Sequence, residues 1–167
     1  MLALRTASQR QITVNADAIR FGALIPMSEA AGHAGVRQAA PVIAESLQLA
    51  ASGQYGEPWR EPVAADPLRV FSRTTWPCNK REPGSGCSAL QGFNRQHAVL
   101  GTSDARISTY HGDFAQALIA LDAALEVRGP VGTRRLPFAK LHRLPPNVKT
   151  DLDADDIILA TKVPLGA

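Results

Sequence analysis

The sequence predicts an α+β fold, with strands before and after a helical middle. Three observations carry this. Ile12 and Val14 alternate with polar neighbours near the N-terminus, the two-residue period of a strand. Apolar residues then recur at helical spacing, first at Val42, Ile43, Leu47 and Ala50 and again at Phe114, Leu118 and Leu121. Finally, Asp156-Ile157-Ile158-Leu159-Ala160-Thr161-Lys162-Val163 is a β-rich run that ends at Pro164.

The elements follow in chain order. Residues 11–25 read as extended, with a turn at Asn15-Ala16-Asp17 and a second run from Ile19 to Leu24. Pro26 cannot donate to a ladder, so the strand is expected to end there. Ser28, followed by Glu29-Ala30-Ala31, reads as the N-cap of a short helix. A second helix is expected from about Val36 to Ala51, with Pro41 in its first turn. Residues 53–88 differ in character: they hold five prolines, four glycines and both tryptophans, with no clear period. Such a stretch is unusual inside a compact domain. Helical spacing returns after Gly112-Asp113, which read as the cap. A hairpin is expected next: Ala124 to Val127, a turn at Gly129-Pro130-Val131-Gly132, then Arg134 to Pro137. Residues 138–149 read as loop with a short turn.

Composition narrows the function. A chain of 167 residues is about one domain in length, enough to bury roughly 70% of its surface. Eighteen basic against fifteen acidic side chains leave a charge of +3, too weak and too scattered for a nucleic-acid surface. No apolar run approaches bilayer length, so no membrane span is expected. The N-terminus lacks the apolar core of a signal peptide, which favours the cytoplasm.

Among motifs, the segment from Pro77 to Cys87 is the most distinctive. Two thiols nine positions apart on a Gly/Pro loop can stay free, form a disulfide, or turn inward onto a metal or iron–sulfur cluster. His33, His97, His111 and His142 match no ligand spacing and read as solvated or singly hydrogen-bonded. Asp113 follows His111-Gly112 and can cap a helix or face a ligand hydroxyl. Ser85, within Gly84-Ser85-Gly86, lacks the strand–turn–helix setting of a nucleophile elbow. There is no dinucleotide fingerprint and no Walker loop. Asp151, Asp153, Asp155 and Asp156 lack the glycine and the terminal glutamate of a calcium loop and read as a solvated turn.

Taken in order, several of these segments resemble a known family. They are Ile19 to Leu24, Pro77 to Cys87, Asn94 to Gly101, Thr109-Tyr110-His111-Gly112-Asp113, and Asp155-Asp156-Ile157-Ile158. Together they resemble the FAD-binding (medium) subunit of the molybdenum hydroxylases, the xanthine dehydrogenase family, in its bacterial aldehyde oxidoreductase branch. The cysteine loop is the most specific of them. The resemblance implies a partial PCMH-type FAD-binding domain, a mixed sheet with helices, incomplete at both ends. It implies electron transfer through FAD, with a molybdenum-cofactor large subunit oxidising the substrate and a 2Fe-2S small subunit between them. By the same resemblance Asp113 and Ile158 contact the flavin, and Cys78 and Cys87 are two of four ligands of a 4Fe-4S cluster. Export as a complex on a partner's signal is the implied alternative to the cytoplasm.

The departures from the family shape the functional expectation. A Gly-Gly-Asn loop and a first cluster cysteine belong between Gln54 and Pro77, and neither is there. Arg106 stands about where the fourth cysteine belongs. Read one base later with degenerate codons, Gln54 to Ser72 accommodates Asn-Met-Ala-Ser-x-Gly-Gly-Asn-Leu-Leu-Gln-Arg-Thr-Arg-Cys-x-Tyr-Phe, the family's own pattern. Two compensating insertions or deletions, near codons 54 and 73, are therefore expected in the gene. Codons unable to spell Gly-Gly-Asn and Cys in the shifted frame would refute this on DNA sequencing. Without these amides the pyrophosphate is poorly held, because a desolvated phosphate lacking donors costs several kcal/mol, roughly. FAD binding by this polypeptide alone is expected to be weak, and two cysteines cannot complete a four-iron centre. The competing reading is a non-catalytic module that docks partner subunits without flavin.

Overall fold

The computed structural model describes residues 7–49, 75–79, 81–90, 92, 94–95, 103–104, 112–142 and 150–166. Residues 54–73, where the shifted frame is expected, lie outside them, as do His97, Arg106 and Thr109 to His111. The chain forms two compact units. One is built from Met1–Pro62, Gly112–Lys140 and Leu152–Ala167, the other from Val63–His111 and Leu141–Asp151.

The first unit is an antiparallel five-stranded sheet with helices. Its strands are β1 (Ile12–Val14), β2 (Ala18–Gly22), β3 (Ala124–Gly129), β4 (Gly132–Pro137) and β5 (Ile157–Pro164). Their order is β1-β2-β5-β3-β4, so the last strand lies in the middle. The hairpin β3–β4 closes where Gly129 opposes Gly132. Gly132 takes a φ of 140°, which a side chain would resist. The helices are α1 (Met27–Gly32), α2 (Ala34–Ala39), α3 (Pro41–Leu49) and α4 (Asp113–Ala120).

Register assigns the two sheet faces. Phe21 opposes Thr161, Leu125 opposes Thr161, and Ile19 opposes Val163. These residues are all buried, together with Val127 and Leu136. Burying apolar side chains of this size stabilises the fold by about 1.5–3 kcal/mol each. Phe114 of α4 meets Phe21 edge to face, ring centroids 6.4 Å apart, which seats the helix on this side. Helix α3 packs against α1, α2 and α4 through buried Ile43, Ala44 and Leu47. On the opposite face Arg20 reaches over β5 to Glu126 Oε2, its Nη2 2.8 Å and its Nε 3.0 Å away. Both groups are partly solvated, so the pair contributes at most about 1 kcal/mol.

Some expectations shift by a few residues. Strand β2 ends at Gly22, not Pro26, because Gly22 to Ile25 form a turn closed by Ile25 N–H to Gly22 O at 3.2 Å. Helix α1 begins after Pro26, with Ser28 inside its first turn and no side-chain cap. The single helix expected from Val36 is two helices. Ala40 sits between them at φ −146° and ψ 70°, since a residue before proline is pushed out of the helical region. Nor is the aspartate segment wholly solvated. The Asp156 side chain is 3% exposed and lies 2.7 Å from Arg134 Nη2.

Candidate functional site

Both residues assigned by resemblance to the flavin fall in the sheet unit. Ile158 is half-buried on β5 and opposes Val127. A bulge sets its direction. Glu126 pairs with Ala160 while Val127 pairs with Ile158, which leaves Leu159 as the extra residue. Strict alternation would place Ile158 on the Ala160 and Glu126 face; the bulge turns it to the Val127 face instead. This is the face on which Phe114 seats α4. Asp113 is the first residue of that helix and is exposed, with extended Gly112 before it. The structure therefore places Asp113 and Ile158 on the same side of one sheet. A carboxylate in the first turn complements the helix dipole and presents only acceptors, which suits a ligand hydroxyl or N–H.

A flavin dinucleotide needs three things: an acceptor for its polar groups, apolar surface for its ring, and clustered N–H donors for its phosphates. Exposed Asp113 offers an acceptor, and half-buried Ile158 offers apolar surface. The amides where β2 ends do not supply the third. There, four successive amides are already taken by main-chain carbonyls: Gly22 by Gln11, Ala23 by Leu159, Leu24 by Gln9 and Ile25 by Gly22. Nor do Gly84 and Gly86 of the cysteine loop supply it, since both donate to Asn79 Oδ1, at 3.1 and 2.8 Å.

The cysteine loop belongs to the second unit. Cys78 is buried, Cys87 is half-buried, and both are free thiols. The two form an isolated antiparallel bridge. Ser85 Oγ accepts the Cys78 amide at 3.0 Å, so that serine builds the loop and shows no nucleophile geometry. Among the described residues no three His, Cys, Asp or Glu side chains converge as metal ligands.

Other singled-out residues have local roles. His33 caps α2, its Nδ1 accepting from Val36 N–H at 3.3 Å. His142 pairs with Thr150 in a short bridge next to fully buried Leu141. Sequence reasoning misses Asp156 as an individual site. The Arg134 guanidinium, and then the Asp153 amide, hold its carboxyl below the usual carboxylate range, outweighing burial. It misses Asn79 as well, the acceptor for two glycine amides. The position of Asn79 one residue after Cys78, before two glycines, is the available signal.

Comparison with known proteins places this arrangement. Residues 95–166 match the family described as FAD binding domain in molybdopterin dehydrogenase. The chain is 39% identical over 159 residues to the aldehyde oxidoreductase FAD-binding subunit PaoB of Escherichia coli (strain K12), covering 90% of this chain and 49% of that protein. It thus spans about half the length of the curated relative it matches. Among solved structures, carbon monoxide dehydrogenase from Hydrogenophaga pseudoflava aligns with a TM-score of 0.60 and 18% identity, over 98% of this chain and 42% of that one. Quinoline 2-oxidoreductase from Pseudomonas putida 86 aligns with a TM-score of 0.60 and 14% identity, over 99% and 43%. At these identities the two structures speak for the fold.

Proposed function

We propose, for a chain that belongs to the FAD-binding-subunit family of the molybdenum hydroxylases, a role within the electron-transfer subunit of a molybdenum-dependent aldehyde oxidoreductase. The observation that carries this is the 39% identity to PaoB across 90% of the chain. When bound, FAD would accept electrons delivered from substrate oxidation and pass them on. The chain's own part is positional: the Asp113 carboxylate accepts a hydrogen bond from the flavin nucleotide, and Ile158 gives its ring an apolar wall. The oxidation itself would occur on a molybdenum-cofactor subunit, with a 2Fe-2S subunit between the two. Cys78 and Cys87 correspond to two of the four ligands that a four-iron cluster takes, and two thiols alone do not complete one. Among the described residues no helix is long and apolar enough to cross a membrane. The cytoplasm, or export with a partner subunit, fits this role.

The lack of a Gly-Gly-Asn loop between Gln54 and Pro77 supports a weak grip on the phosphates, and a flavin-free docking module is the competing reading. Titration of the purified chain with FAD, read by flavin fluorescence, separates the readings. The expected result is saturable uptake too weak to survive gel filtration. Asp113→Ala should weaken it about tenfold or more, the worth of a hydrogen bond to a charged acceptor, about 1.5–3 kcal/mol. Uptake that is absent, or indifferent to this substitution, would replace the flavin role with the docking role. Flavin retained one to one through gel filtration would overturn the weak grip.

A further inference from the structure

We propose that Cys78 and Cys87 are a thiol pair that closes to a disulfide on exposure to small disulfides of the glutathione class. Three observations carry this. First, the two residues oppose each other in an antiparallel bridge. The flanking bond runs from Ser88 N–H to Pro77 O at 3.1 Å, while the Cys78 amide donates to Ser85 Oγ. The cysteines therefore occupy a non-hydrogen-bonded pair. At such positions the Cα atoms lie about 4.5 Å apart with side chains on one face, within the span of about 4.4–6.8 Å that a disulfide bridges.

Second, the loop holds this geometry by its own bonds. Arg81 and Glu82 amides donate to Cys78 O at 3.0 and 2.9 Å, and Ser85 N–H donates to Glu82 O at 3.0 Å. Asn79 Oδ1 gathers Gly84 and Gly86, whose φ values of 89° and 100° only glycine adopts readily. Closing the pair needs little rearrangement of a loop already folded around it.

Third, the thiols differ in access. Cys87 is half-buried and Cys78 is 7% exposed. Cys87 is therefore the attacking thiol and Cys78 the resolving one. The Cys87 thiolate attacks one sulfur of the small disulfide, forming a mixed disulfide and releasing one small thiol. The Cys78 thiolate then attacks Cys87 Sγ and expels the second. Two protein thiols are oxidised, one small disulfide is reduced to two thiols, and the two cysteine protons end on the leaving groups.

The test uses the full chain, oxidised glutathione and mass spectrometry after alkylation. The expected product is a Cys78–Cys87 linked peptide two hydrogens lighter, with alkylation of both thiols lost and then restored by dithiothreitol. Cys78→Ser should trap one glutathione on Cys87, and Cys87→Ser should leave Cys78 without an adduct. Thiols that stay alkylatable in excess oxidant, a glutathione adduct on Cys78, or a disulfide between two chains would overturn the proposal. So would a purified chain carrying iron and sulfide on these thiols. No flavin and no partner enters the assay, so its outcome is independent of the Asp113 titration.

Discussion

Gly22→Ala is expected to destabilise the sheet unit by roughly 3 kcal/mol, lowering Tm by about 10 °C. The end of β2 lies directly against the backbone of Gln9. A Cβ placed on Gly22 would stand 2.3 Å from the Gln9 carbonyl oxygen and 2.8 Å from its Cα. Main chain cannot swing aside as the tip of a long side chain can. Two bonds also hold it in place: Gly22 N–H to Gln11 O at 3.0 Å and Leu24 N–H to Gln9 O at 2.8 Å. Gln9 is itself buried, at 4% exposure, so its displacement would uncover polar groups already satisfied. Gly32 is the control. It ends α1, and a methyl group added there would meet nothing within 4 Å. Gly32→Ala should therefore be neutral or stabilising by up to about 1 kcal/mol. Thermal unfolding followed by circular dichroism reads both. Equal Tm values for the two variants would contradict the close approach.

Phe114→Ala should cost about 3–5 kcal/mol, the usual penalty for emptying a buried aromatic site. The ring is 7% exposed and meets Phe21 at an interplanar angle of 84°. It anchors the first turn of α4, the same turn that carries Asp113. Its loss therefore reaches the proposed flavin contact at Asp113 as well as the core. Phe114→Leu, which keeps most of the volume, should recover more than half of the loss. Urea unfolding measures both variants, and an alanine variant within about 1 kcal/mol of the parent would show that α4 is held by other contacts.

Some of these features are legible in the sequence for local reasons. The β3–β4 hairpin announces itself because Gly129-Pro130-Val131-Gly132 punctuates two extended runs. Helix α4 is legible from Phe114, Leu118 and the preceding Gly112. The break at Ala40 is only half legible. Pro41 reads as a tolerated first-turn residue, which it is, but of a second helix. The strand order is not legible, because the pairing of β5 with both β2 and β3 depends on partners distant in sequence. The shared side of Asp113 and Ile158 is hidden for a similar reason. It depends on the bulge at Leu159, where no glycine marks the irregularity. The cysteine pairing lies between these cases. Gly84 and Gly86 signal a reversal, but nothing in the spacing says that Cys78 faces Cys87.

The central place of β5 bears on how the protein is made. A ribosome produces β1–β2 long before it produces β5, the strand that joins this pair to β3–β4. Until then β2 carries an open edge where β5 will lie, and a nascent chain in that state is a template for pairing with its neighbours. Joining the two pairs thus waits on contacts distant in sequence, and is slow by the standard of locally wired folds. Yield on expression should accordingly depend on chaperone supply and growth temperature more than on the stability of the finished protein.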